Sequence, residues 1–279
     1  MLEPIASPRP SVVALAASLL LFGPVLGGCQ REEAEPAPQP APVAAPTPVV
    51  TVASSPTLDR ASLLQAMDLA ASAFAAGREV GGASLAGRRF VVRQAFGCGG
   101  PASLSAETTP DDGLPALAWG ARNQSLKLSL APGDWSQSAL IADDAETWEA
   151  AEGFWLARPW LRTEGCSAAQ GDPLAQGQAS PQTMGLAAVF NEGGSRTGRR
   201  NGRAYEFTVR GEGDQPLVAP AQGYRLVLEG RMAAFADGRA VRCRASGLDQ
   251  RPICIGAVQL DRVAFEDADG KMLSEWRDG

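Results

Sequence analysis

Histidine is absent from this 279-residue chain. That removes the commonest general base, the usual zinc ligand and any Ser-His-Asp or Cys-His arrangement, and so counts against a hydrolase. Lysine occurs only at Lys127 and Lys271. Arginine supplies the rest of the positive charge, as expected of a GC-rich genome. The formal net charge is −6, and an acidic body of this kind argues against nucleic acid as a partner. No apolar run reaches the roughly 20 residues that a membrane-spanning helix needs. No cysteines show the close paired spacing of a thiolate metal site, and neither a metal nor a cofactor is expected. Two motif-like strings are incomplete. Gly82-Ala83-Ser84-Leu85-Ala86 approaches a nucleophile elbow but ends in alanine and has no histidine to serve it. Asp267-Ala268-Asp269-Gly270 has two acids of a calcium loop, lacks the rest, and reads as a turn.

What is present begins with an apolar run, Val12 to Leu26, interrupted by Gly23 and Pro24. It is short, ends on small residues and has the shape of a signal-peptide core. The string Leu26-Gly27-Gly28-Cys29 closes it. This string resembles the lipobox of bacterial lipoproteins, of the Gram-negative, alphaproteobacterial type. The resemblance is specific at the lipobox alone, and the body carries no motif of a family with known activity. It implies acylation of Cys29, loss of residues 1–28 and a membrane attachment through the N-terminal lipid. Gln30 follows Cys29 where an Asp resembles an inner-membrane retention signal, so the resemblance leans to the outer membrane, facing the periplasm. The bland alternative is an ordinary signal peptide. Residues 29–56 alternate proline with alanine and valine. Such a tract cannot bury enough surface to order itself and is expected to act as an extended tether.

Cys98, Cys166, Cys243 and Cys254 remain besides Cys29. An even number in an exported chain points to disulfides with three possible connectivities, of which Cys98–Cys166 and Cys243–Cys254 are favoured here. Leu63, Met67, Ala70 and Phe74 share one helical face, which predicts an amphipathic helix over 57–77 ended by Gly77. Strand patterns follow at Arg89–Arg93, Ala116–Gly120, Ser125–Leu130, Phe154–Ala157, Thr183–Phe190, Tyr205–Arg210, Tyr224–Arg231, Ile253–Gln259, Arg262–Phe265 and Met272–Trp276. Ala142–Glu152, rich in acids and alanine, reads as a helical turn or a loop. The expected fold is mainly β: an antiparallel sandwich or barrel-like body with one N-terminal helix. The polar stretch 167–181 divides it into β-rich lobes at 78–166 and 182–279.

Three groups are candidates for binding. Arg196, Arg199, Arg200 and Arg203 stand in a Gly-rich loop, and guanidinium forks suit phosphate and carboxylate. The competing reading is a solvated hairpin loop. Among the tryptophans, Trp135 and Trp160 have the neighbours of exposed residues, able to stack on a sugar ring, whereas Trp119, Trp148 and Trp155 read as core. Asp143, Asp144, Glu146, Glu149 and Glu152 form an acidic run, which a glycosidase would use only if two carboxyls faced each other across a sugar. The reading is a non-enzymatic, lipid-anchored envelope protein that binds peptidoglycan, lipopolysaccharide or an envelope protein. The alternatives are a carboxylate-dependent carbohydrate-active enzyme and an accessory subunit of an outer-membrane assembly. Replacing Cys29→Ser is expected to move the chain from the membrane to the soluble fraction of lysed cells; a variant that still sediments with membranes would argue against the lipid anchor.

Overall fold

The computed structural model describes residues 55–78, 85–103, 112–120, 123–142, 147–168, 181–194, 198–211 and 217–277. Residues 1–54 with Cys29, Gly82 to Ser84, Arg196, the acids Asp143, Asp144 and Glu146, and residues 169–180 of the polar stretch lie outside them.

Helix α1 spans Arg60–Ala75. It starts later than the expected residue 57 because a β-bridge to Phe90 already holds Leu58. Its N–H donates to the Arg89 carbonyl and its carbonyl accepts from the Val91 N–H, both at 2.8 Å. Asp59 then caps the helix, its carboxylate accepting the Ser62 N–H at 2.8 Å. Leu63, Leu64, Met67 and Ala70 are buried. Gly77, at φ +62°, ends the helix in a conformation that side chains disfavour. Among the described residues no helix is long and apolar enough to cross a membrane.

The strands are β1 (Arg89–Phe96), β2 (Pro115–Trp119), β3 (Ser125–Leu130), β4 (Gly133–Asp134), β5 (Trp148–Trp155), β6 (Met184–Asn191), β7 (Tyr205–Arg210), β8 (Tyr224–Met232), β9 (Val241–Arg244), β10 (Ile253–Glu266) and β11 (Met272–Arg277). They build a sandwich-like body. One sheet has the order β1-β8-β10-β6-β5-β4, with β9 and β11 also paired to β10; the second is β2-β3-β7. The large sheet departs from a purely antiparallel arrangement at one place, where β6 and β10 run parallel. The long connection between them allows either direction. The large sheet takes strands from both sides of 167–181, so that stretch does not separate two sheets. β5 also begins earlier than the acidic composition suggests, at Trp148, because Ala150, Ala151 and Phe154 are buried.

Both faces of the large sheet are covered, at least in part. On one face Leu186, Leu226, Leu228, Val258 and Phe265 join the helix and Leu117, Leu126 and Leu128 of the small sheet in the main core. On the other, Ala187, Val189, Ile255 and Ala257 pack with Ile141, Trp148 and Phe235. The two apolar runs expected around Gln259 are one strand, β10, with a bulge between Leu260 and Arg262. The bulge reverses the side-chain alternation. Cys254 and Val258 before it therefore face the same core as Val263 and Phe265 after it.

Four strand spacings separate β1 from β5, about 19 Å on a flat sheet. Yet the Gln94 carboxamide of β1 accepts the Ala157 N–H at 3.0 Å and donates to the Trp155 carbonyl at 3.1 Å. The sheet is curled until its two sides meet, and a side-chain amide takes the place of a backbone ladder. Arg60, only 2% exposed, locks this seam. Its guanidinium donates to the carbonyls of Ala157 (2.7 Å), Arg158 (3.1 Å) and Leu161 (3.1 Å) and to Gln94 (3.4 Å). Burial, and then the charges of Arg158 and Arg162, pull its pKa down to about 10 against an opposing pull from Glu164, which leaves it charged at neutral pH. The Cys98–Cys166 disulfide, Cα–Cα 5.6 Å, crosses the same seam just beyond Phe96. Cys243–Cys254 joins directly paired residues of β9 and β10.

Non-reducing peptide mapping is expected to recover these two pairs. Arg60→Leu is expected to lower the unfolding free energy in urea by about 3 kcal/mol or more, because several buried acceptors lose their donor together. A loss under about 1 kcal/mol would mean that the seam is held by something else.

Candidate functional site

A cavity of about 630 Å³ opens where β6 and β11 part company along β10. One wall is the loop Gly198–Arg203 between β6 and β7; the other is formed by Arg231 of β8, Asp261 and Arg262 of β10, and Trp276 and Arg277 of β11.

The loop is held from below by Glu152. This carboxylate on β5 is 6% exposed and accepts the backbone N–H groups of Arg200 (2.8 Å) and Asn201 (2.7 Å). Asn201 adopts φ +51°, a conformation asparagine tolerates better than most residues. Burial raises the Glu152 pKa, while the two N–H donors and the charges of Arg199 and Arg200 draw it back. Arg199 pairs with Glu149 at 2.8 Å. Arg200 lies over the Tyr205 ring, 4.5 Å from its centroid, and donates to the Arg203 (3.1 Å) and Ala204 (2.7 Å) carbonyls. Arg203 is exposed and commits its Nε to the Arg200 carbonyl at 3.2 Å. Across the cavity Arg231 faces Asp261 at 3.5 Å. Arg262 is clamped between Glu229 at 2.8 Å and Glu275 at 2.9 Å, and Arg277 reaches the same Glu275 at 3.1 Å.

The walls thus carry six guanidiniums and two carboxylates, Glu152 and Asp261. Glu149, Glu229 and Glu275 stand outside the lining. They anchor Arg199, Arg262 and Arg277 without occupying the cavity face, and together with Glu152 and Asp261 they offset most of the guanidinium charge. Such a surface suits phosphate or carboxylate oxygens.

The structure brings Arg199, Arg200 and Arg203 to this site and places the two candidate tryptophans elsewhere. Trp135 is half-buried, with Trp155 at 4.6 Å between ring centroids. Its indole lies so close over Gly153 and Gly185 that a Cβ on either glycine would stand 1.9 or 2.5 Å from it. Gly153 faces the opposite side of β5 from Glu152, so Trp135 and the arginine loop lie on opposite faces of the sheet. It shares a separate cavity of about 300 Å³ with Trp155 and Arg244. Trp160 is 56% exposed and sits by Cys98 and Arg158, beside the seam. Of the acidic run, Glu149 and Glu152 are spent on the loop. Asp267 closes a turn by accepting the Asp269 and Lys271 N–H groups. Arg231, Arg262, Arg277 and Asp261 do not show in the sequence as one group. They lie on strands far apart in the chain, and the only local sign is the charged pair Asp261-Arg262 between two apolar runs.

No known protein family, no curated protein and no solved structure matches this chain.

Glu152→Ala is expected to cost about 2 kcal/mol by stranding two N–H groups and to make the loop susceptible to proteolysis. Glu152→Gln keeps an acceptor and removes a buried charge. Since the folded-state pKa is raised, the wild-type chain gains stability relative to this variant as the pH falls through that pKa, and loses it as the pH rises. Denaturation at pH 4 and pH 7 checks the sign.

Proposed function

We propose that this chain is a non-enzymatic cell-envelope protein, anchored through acylated Cys29 to the outer membrane and facing the periplasm, that binds an anionic envelope ligand in the arginine-lined cavity. The observation that carries the reading is the six guanidiniums on the cavity walls, contributed by a loop and three strands. Two disulfides fit an oxidising compartment. The engagement of Glu149 and Glu152 with the loop supports a binding role over a carboxylate-catalysed one. Phosphates of lipopolysaccharide and carboxylates of peptidoglycan are the anions that this compartment offers.

The test is co-sedimentation of the full-length Cys29→Ser chain with purified lipopolysaccharide and with sacculi, at low and high salt. Binding is expected at low salt and is expected to fall steeply as salt screens the cavity. Replacing Arg203→Ala and Arg231→Ala together is expected to weaken it about tenfold or more. Binding that survives salt and is competed by free sugars would overturn the anion reading in favour of Trp135 or Trp160, and no binding at low salt would overturn it outright.

A further inference from the structure

The face of the large sheet opposite the arginine loop carries the second cavity, of about 300 Å³. Its construction starts from two glycines inside strands, where glycine weakens the strand and marks a close approach. Gly153 of β5 and Gly185 of β6 seat the Trp135 indole, which leaves no room for a Cβ at either position. The loop that supplies this indole is fixed by hydrogen bonds. The Trp135 N–H donates to the Ala151 carbonyl at 2.9 Å, the Ser136 hydroxyl accepts the Ala151 N–H at 3.1 Å, and the Ile141 N–H donates to the Ser138 carbonyl at 2.8 Å. Trp155 meets Trp135 at an interplanar angle of 58°. Both rings are half-buried and both line the cavity. Leu140, Ile253 and Ile255 extend the apolar wall.

Charge enters this wall at one place. Cys254 belongs to the main core, and its ladder partner Cys243 is bonded to it. Arg242 and Arg244, one residue to either side of Cys243, therefore stand on the opposite face, that of the cavity. Arg242 is engaged by Asp237 at 3.1 Å and lies over the Phe235 ring. Arg244 is exposed, sits beside Ile253 across the ladder and lines the cavity. No carboxylate is among the described residues of the lining. We propose that this cavity binds a small aromatic carboxylate, its ring against the two indoles and its carboxylate on Arg244. Aromatic rings pack tilted or offset against one another, as Trp135 and Trp155 already do. A guanidinium suits a carboxylate at the rim. The volume is at the small end of ligand sites, the scale of one ring system. Ser138 and Ser246 are the other polar side chains of the described lining, too few to meet the hydroxyls of a sugar ring. The site lies across the sheet from the arginine loop and does not rest on the anion-binding reading.

The experiment is calorimetric titration of the full-length Cys29→Ser chain with naphthalene carboxylate. Its neutral amide, decanoate and glucuronate are run beside it. Naphthalene carboxylate is expected to bind, and the amide to bind about tenfold more weakly or less. Arg244→Ala should lower affinity for the carboxylate about tenfold or more and leave that for the amide unchanged, whereas Arg203→Ala, in the other cavity, should change neither. Absence of binding, or equal affinity of the carboxylate for the parent chain and Arg244→Ala, would overturn the proposal. Weakening by Arg203→Ala would place the ligand in the arginine cavity and overturn it too. Tighter binding of decanoate or of glucuronate would overturn the aromatic class in favour of an acyl chain or a sugar acid.

Discussion

The structure depends on a seam closed by side chains. A sheet that curls far enough for β1 to meet the end of β5 needs something to satisfy the backbone there, and Gln94 and Arg60 do this in place of a ladder. A buried guanidinium is costly unless its donors are used. Arg60 uses Nε and both terminal nitrogens, on three carbonyls and one carboxamide. The charge is thus stabilised by oriented dipoles, and the carbonyls of Ala157, Arg158 and Leu161 are satisfied by a single group. Arg158 donates across the same line to Ala95, and the Cys98–Cys166 bond makes the closure covalent.

Closure at the seam leaves the opposite part of the sheet to accommodate the curl. β10 is 14 residues long and is flanked on one side by two shorter strands in succession, β6 and β11, which do not meet among the described residues. The bulge at Asp261 falls in the gap between them. It turns the alternation so that Val263 and Phe265 stay in the core, and Arg262 is directed to the face where Glu229 and Glu275 clamp it. The break in pairing, the bulge and the arginine cavity are one feature. Among the described residues the middle of β10 is paired on one flank, to β8, and charged side chains gather around it.

Much of the body was legible in the sequence because its signals are local. The stripe Leu63, Met67 and Ala70 is periodic over one helix. The alternation in β3, β7 and β8, and the turn at Asp269-Gly270, mark strands and connections within a few residues. The rest was not legible because it is not local. Arg60 looks like any polar residue in a first helical turn; its role comes from Gln94 and from residues about a hundred positions away. The parallel pairing of β6 and β10 joins segments some seventy residues apart, and no periodicity encodes it. Glu152 reads as one acid among several, since composition cannot show that it lies under a loop and accepts two of its N–H groups. The arginine loop was visible, but not its partners on β8, β10 and β11.

The central claim is that the ligand lies where the strands splay. Amide hydrogen exchange of the full-length Cys29→Ser chain, with and without purified lipopolysaccharide and sacculi, tests this most directly. The account predicts added protection at residues 189–191, 199–203, 259–263 and 276–277 and little change around Trp135 or Trp160. Protection centred on either tryptophan, with the cavity residues unchanged, would contradict it.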